Sequence, residues 1–521
     1  MSKALKLFAL SVCLWLLGTG TAIGAPPEFD NDGATTGPFD SDNVAFLDQK
    51  TPRQMGLTDV PNLADVWGWT DPANGDKYVI APSSADLAFS VVPGSGDADY
   101  APVGGVSFLR VVDDDTLVPL GTWRHPGDFP LGHGDAQVFA NNAYVAFEDV
   151  NDGVITDIGL AIFDLTKLRG LDDCGTPDLC KNNLSDLDGF ATIRREFEVL
   201  GSPNRTIPFS DAHNLTIDEE TGWMAIHAAG TVESLQQGVP PDKKRRPRHT
   251  YVLKIDESDP TNPILVRDVK TFSHDGFITT YNGPDVQHQG KVIMLLANGY
   301  RHEHVFNRNP KDVEKTVEKT FLQNPQNRLT NWQLAEPDGT IKIKKLGFSE
   351  YDGSNFGHQL ALSSDHRHVF FNDENNFIGL FGFEQQRQIV FDIQDLDRPK
   401  ESLQCFHNTF GPTHDSYVVE NFLYAGNYTT GLRVVDISTP ASLCTDGGFL
   451  AEAGFFDTEP RLEAVGDNFT VTLNQGAQSV DVQPADPNFA GVWGTYPFFG
   501  DGLAVESDIY NGIFLLRFLG A

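Results

Sequence analysis

Gly431-Leu-Arg-Val-Val-Asp436-Ile-Ser-Thr-Pro440 is a short apolar strand that ends on an aspartate and runs into a polar, proline-bearing turn. Gln388-Ile-Val-Phe-Asp392-Ile repeats the pattern 44 residues earlier, and Tyr251-Val-Leu-Lys-Ile-Asp256 and Gly159-Leu-Ala-Ile-Phe-Asp164-Leu-Thr repeat it again. Apolar alternation of this kind suits a small sheet packed between two others, and an aspartate at a strand end can accept backbone hydrogen bonds from the turn that follows. A period near 45 residues is that of a four-stranded propeller blade. Composition agrees: 49 glycines, 31 prolines and only 4 methionines accompany short Val, Ile and Phe runs, with hardly any extended helical periodicity. The chain is expected to be all-β.

A second motif recurs earlier in each unit, where a histidine beside small or polar residues opens an apolar strand: His133, His213, His274, His358 and His414. Trp67, in Val66-Trp-Gly-Trp69, and Trp493, in Val492-Trp-Gly-Thr495, open two further stretches in the same way. Five histidine openings and two tryptophan openings predict seven four-stranded blades over residues 61–521, with insertions near 232–250 and 302–345. Residues 25–60 read as an N-terminal arm and lead-in. The basic stretch Lys243-Lys-Arg-Arg246 reads as a solvated hairpin tip.

The first 24 residues carry Lys3 and Lys6, then an apolar run from Leu7 to Leu17, then small residues up to Gly24. That is the pattern of a cleaved signal peptide, and the run is too short for the roughly 20 residues of a membrane span. Net charge is −34, or −36 once the two leader lysines are gone, so nucleic acid and anionic membranes should be repelled. Of five cysteines, Cys13 leaves with the leader, and the remaining even number in an oxidising compartment predicts two disulfides, Cys174–Cys180 and Cys405–Cys444. The mature protein is expected to be secreted or periplasmic, without a membrane span, and monomeric.

In order along the chain, Trp67-Gly-Trp-Thr-Asp-Pro72, His213-Asn214 with Asp218-Glu-Glu-Thr-Gly222, Asn427-Tyr-Thr-Thr-Gly-Leu-Arg-Val-Val-Asp-Ile-Ser438 and Trp493-Gly-Thr-Tyr-Pro-Phe-Phe499 resemble the secreted choice-of-anchor B proteins with LVIVD-type repeats. The resemblance runs over roughly residues 60–520 and implies a propeller of the cell exterior, often tethered by a C-terminal anchor, with no settled activity. Here the chain ends Phe518-Leu-Gly-Ala521, with no sorting tail or apolar anchor, so free release or periplasmic residence is expected. Gly132-His-Gly-Asp135 stands where the resemblance implies a Trp-Arg-Asp-like opening, which adds a histidine at a blade start.

Two readings compete for the five histidines. Repetition in every unit favours a structural latch, each imidazole bonding the backbone of a neighbouring blade. Alternatively, ring closure brings them to one axis, where neutral imidazoles could hold one transition-metal ion (Zn, Cu or Fe), with Asp135, Asp275 and Asp415 orienting them. The first reading makes the protein a scaffold that binds a protein, glycan or small ligand; the second makes it a metal-dependent oxidase or hydrolase. His302 and His304 share a strand face but lie beside an insertion and rank lower. Other chemistries lack their residues: there is no Gly-x-Ser-x-Gly elbow, no phosphate-binding glycine loop, and the calcium-like fragments Asp30-Asn-Asp-Gly33 and Asp149-Val-Asn-Asp-Gly153 do not reach a closing glutamate.

Overall fold

The computed structural model describes residues 28–29, 35–57, 62–83, 104–127, 131–149, 158–230, 249–298, 328–351, 356–374, 378–379, 382–383, 387–407, 412–438, 448, 450–459, 471–475, 478–482 and 490–520. Seven antiparallel sheets follow one another around a ring. Their innermost strands are Trp67–Thr70, Leu131–Phe139, Asn214–Asp218, Asp275–Thr280, Gly357–Leu362, Ser416–Val419 and Val492–Tyr496, in blades one to seven, and each touches the next, the seventh touching the first. Blade two shows the unit: Leu131–Phe139 pairs with Asn142–Asp149, which pairs with Leu160–Asp164, which pairs with Ala191–Arg194.

Alternation along these strands builds the core. Ala143, Val145 and Phe147 pack toward blade one, while Tyr144 and Ala146, from the same strand, pack toward blade three. The other inter-blade layers form in the same way, as Met294 and Leu296 facing Trp223 and Val252 show. With both faces covered, strands such as Val292–Asn298 are buried throughout, which is why they read as continuous apolar runs.

The repeated aspartates sit where the sequence put them, at the end of the third strand of their blades. Asp164, Asp256, Asp392 and Asp436 each accept a backbone N–H two residues on, from Thr166, Ser258, Gln394 and Ser438, at 2.8–3.1 Å. The turn is therefore set by the side chain itself.

Ring closure corrects the expected start of the propeller at residue 61. Val44–Lys50 is the outermost strand of blade seven, paired with Gly512–Phe518, and Ser41–Asp42 extends blade six. Pairing across the whole chain leaves no local trace in the sequence, so the lead-in looked like an arm. The second expected insertion also overlaps two ordinary blade strands, Arg328–Ala335 and Ile341–Glu350.

Cys174 and Cys180 form a disulfide with a Cα separation of 5.0 Å in the loop before Ala191–Arg194. It staples this loop beside blade one, where Thr122 Oγ1 donates to the Cys180 carbonyl at 3.1 Å. Cys405 is buried and disulfide-bonded; its expected partner Cys444, the leader, and His302 and His304 lie outside the described residues. Among the described residues no helix is long and apolar enough to cross a membrane.

Candidate metal centre

Each of the five histidines stands at the start of an inner strand, in blades two to six, and closure makes neighbours of residues far apart in sequence. Ring centroids lie 5.5 Å apart for His133 and His213, 4.1 Å for His213 and His274, 3.9 Å for His274 and His358, and 4.3 Å for His358 and His414. Trp493 of blade seven completes the circle, 4.1 Å from His414 and 4.7 Å from His133. Six rings from six blades thus close on one another around the axis. Close packing next to the ring demands glycine: a Cβ on Gly134 would come within 2.5 Å of the Pro82 side chain, and one on Gly494 within 2.8 Å of the Val66 backbone nitrogen.

Trp67 does not join this circle. It packs 5.1 Å from Tyr496 and 5.5 Å from Tyr417, which lie three residues beyond Trp493 and His414 on their strands. With Phe498, 5.5 Å from Tyr417, these rings form a second aromatic layer further along the channel. Blade one instead brings Asp65 to the axis, where Oδ2 accepts from the Ala136 N–H at 3.1 Å.

Between the two layers lie buried carboxyl groups. Asp135 Oδ2 accepts from the Leu215 N–H at 2.5 Å and its side chain is hydrogen-bonded to Asp65; Asp275 accepts from Thr216 Oγ1 at 3.0 Å. These two tie blade to blade and do not orient the imidazoles. Asp415 does lie against one, with Oδ1 3.2 Å from Nδ1 of His414, although the pair is not aligned as a hydrogen bond. Burial, with other carboxyls nearby, pushes Asp65 up to about 8; burial does the same to Asp415, and Asp135, Asp275 and Glu506 are raised by the same effects.

Burial acts oppositely on the imidazoles, holding His274, His358 and His414 well below their ordinary value. They are neutral at physiological pH and keep a lone pair. His358 reaches the backbone of His414 in the next blade, and His414 that of Trp493 in the one after. Nδ1 of His274, His358 and His414 is buried and has no hydrogen-bond partner among the described residues.

Among the described residues, two groups of side chains converge closely enough to share an ion. In the first, Glu148 Oε2 lies 2.9 Å from His213 Nδ1 and 3.4 Å from His133 Nδ1. These side chains are 14–24 % exposed, so the group opens to the channel mouth. The second is His358, His414 and Asp415, with side chains 1–7 % exposed. Glu374 borders it, with Oε2 3.7 Å from His358 Nε2 while Oε1 accepts from the Tyr428 hydroxyl at 2.6 Å.

Glu148 and Glu374 escaped the sequence reading because they stand at or just past the end of second strands, outside any repeated motif. His227 was missed too. It is fully buried on the second strand of blade three, bonded to Thr216 Oγ1 at 2.9 Å and Ser273 Oγ at 2.7 Å, and is structural.

Comparison with known proteins adds one family match: the LVIVD repeat model fits residues 411–449, which cover the inner three strands of blade six and its His414 opening. This repeat accords with the propeller architecture. No curated protein matches the chain. Among solved structures, that titled "Structure of U3-55K" is similar over 91 % of this chain and 98 % of its own, at 7 % identity and a TM-score of 0.41.

Proposed function

We propose that this chain is an exported propeller that holds a transition-metal ion at the histidine-lined mouth of its channel, on His133, His213 and Glu148. The observation that carries this is the position of one carboxylate oxygen, within 3.4 Å of ring nitrogens from two different blades. Two imidazoles and a carboxylate suit Zn or Fe, and three protein ligands leave coordination positions for water or a bound molecule. Such an ion could coordinate a donor atom of a captured ligand, or activate water or oxygen as a hydrolase or oxidase does.

Export rests on the leader pattern and accords with the Cys174–Cys180 disulfide, which persists in an oxidising compartment. The ordered motifs that resemble choice-of-anchor B proteins support a place in that secreted group, with the LVIVD repeat as the part independently matched.

A structural latch is the second reading, favoured for His358 and His414 by their contacts with the next blade's backbone. Metal analysis separates the two. Protein stripped with chelator and offered Zn2+ should retain at least one ion per chain through gel filtration, and His213→Ala or Glu148→Gln should weaken that retention while leaving the fold cooperative. Wild type that comes through folded and metal-free leaves only the latch.

A further inference from the structure

We propose that the channel takes a pair of metal ions, the second buried on His358, His414 and Asp415, with His274 standing between the two sites. This inference rests on the metal-binding reading of the mouth and extends it. The deeper group stands on its own geometry, since its three ligand atoms lie within 4.8 Å of one another and its side chains are almost wholly buried.

Unsatisfied polar atoms supply the independent argument. Nδ1 of His358 and His414 are both buried and have no hydrogen-bond partner among the described residues. A buried acceptor or donor left so carries its full desolvation penalty, and folded proteins rarely accumulate several in one place. Each of the two rings also reaches the next blade's backbone. That is the arrangement of a ligating histidine, in which one ring nitrogen is anchored and the other is left to the ion. The latch and the ligand are thus two ends of one imidazole. Asp415 supplies the carboxylate, while Glu374, held by the Tyr428 hydroxyl, lies 3.7 Å from the anchored Nε2 of His358.

His274 links the sites. Its ring packs 4.1 Å from His213 of the mouth and 3.9 Å from His358 of the deeper group, and its own Nδ1 is also buried without a partner. Imidazole and carboxylate donors in a buried, mostly neutral chamber favour Zn, Cu(II) or Fe over Mg or Ca. Each ion would act at its own centre, polarising a bound donor or activating water.

Co2+ is the probe, because its visible absorption reports coordination directly. Chelator-stripped, full-length mature protein titrated with Co2+ should saturate at two equivalents per chain. Asp415→Asn should saturate at one and keep the mouth site, whereas Glu148→Gln should weaken one equivalent and keep the buried one. Electron paramagnetic resonance of the wild type loaded with Cu2+ should show coupling between the ions, a readout independent of whether any variant folds. Saturation at one equivalent, abolished by Glu148→Gln and untouched by Asp415→Asn, overturns the second site while leaving the mouth site standing. No binding at all overturns both.

Discussion

Replacing Asp135 by asparagine should leave the protein nearly as stable as wild type, while replacing it by alanine should not. Asp135 is fully enclosed, accepts the Leu215 N–H of the next blade, and is hydrogen-bonded to Asp65 of the previous one. Burial and the neighbouring carboxyl raise it well above the ordinary range, and Asp65 is raised too, so the pair keeps a proton between its two carboxyls at neutral pH. An asparagine reproduces both functions, with an amide oxygen for Leu215 and an N–H for Asp65, and its cost should stay within about 1 kcal/mol. Alanine strands two buried partners at about 1–3 kcal/mol each, giving a loss of about 2–6 kcal/mol. Urea unfolding of the two variants at pH 7, followed by tryptophan fluorescence, measures both. Equal damage from the two substitutions would refute the protonated pair, because only a carboxylate charge, not its hydrogen bonds, distinguishes them from wild type in the same direction.

Acid sensitivity gives a second test, away from the proposed ligands. Burial lowers His125 to about 4, and its Nε2 lies 3.1 Å from the Ile158 carbonyl. In the unfolded chain it titrates near 6.5, so the unfolded state binds the extra proton between those values; stability from this group is complete above about 6.5 and falls with pH. The raised carboxyls, such as Glu374 at about 7, act with the opposite sign, so the difference between wild type and His125→Gln is the quantity to follow. From pH 7 to pH 5 that difference should shift by about 2 kcal/mol in favour of the variant; a constant difference would mean that the imidazole is not held neutral. Ring closure is tested at Phe514, which is fully buried between Tyr424 and Leu432 of blade six and the strands of blade seven. Phe514→Ala should cost about 3–5 kcal/mol, and Phe46→Ala, half-exposed on the outermost strand of blade seven, distinctly less; comparable losses in urea would argue against closure through that layer.

The blades were legible because they repeat. A strand that ends in Asp392 or Asp436 carries its own turn chemistry, and the spacing between copies reports the size of the unit. The five histidines were legible for the same reason, as each opens an inner strand. Trp67 shows the limit of that logic: it shares a Trp-Gly motif with Trp493, yet the inner strand of blade one enters in a different register, so Asp65 faces the axis and Trp67 packs with Tyr417 and Tyr496. The seven-blade count held, although one of its seven markers belonged to another layer. Glu148 and Glu374 could not be singled out, because nothing local separates them from the chain's many surface acids; only curvature of the ring aims them at imidazoles from other blades. The expected roles of Asp135 and Asp275 beside the histidines were drawn from nearness in sequence, whereas their carboxyls reach the Leu215 N–H of the next blade and the Thr216 hydroxyl of the previous one instead.

Anomalous diffraction from crystals soaked in Zn2+, recorded on both sides of the zinc absorption edge, tests the central claim most directly. The account predicts a peak at the channel mouth about 2.0–2.2 Å from ring nitrogens of His133 and His213 and from a Glu148 oxygen. A featureless axis in crystals whose surface sites have taken up zinc would contradict it.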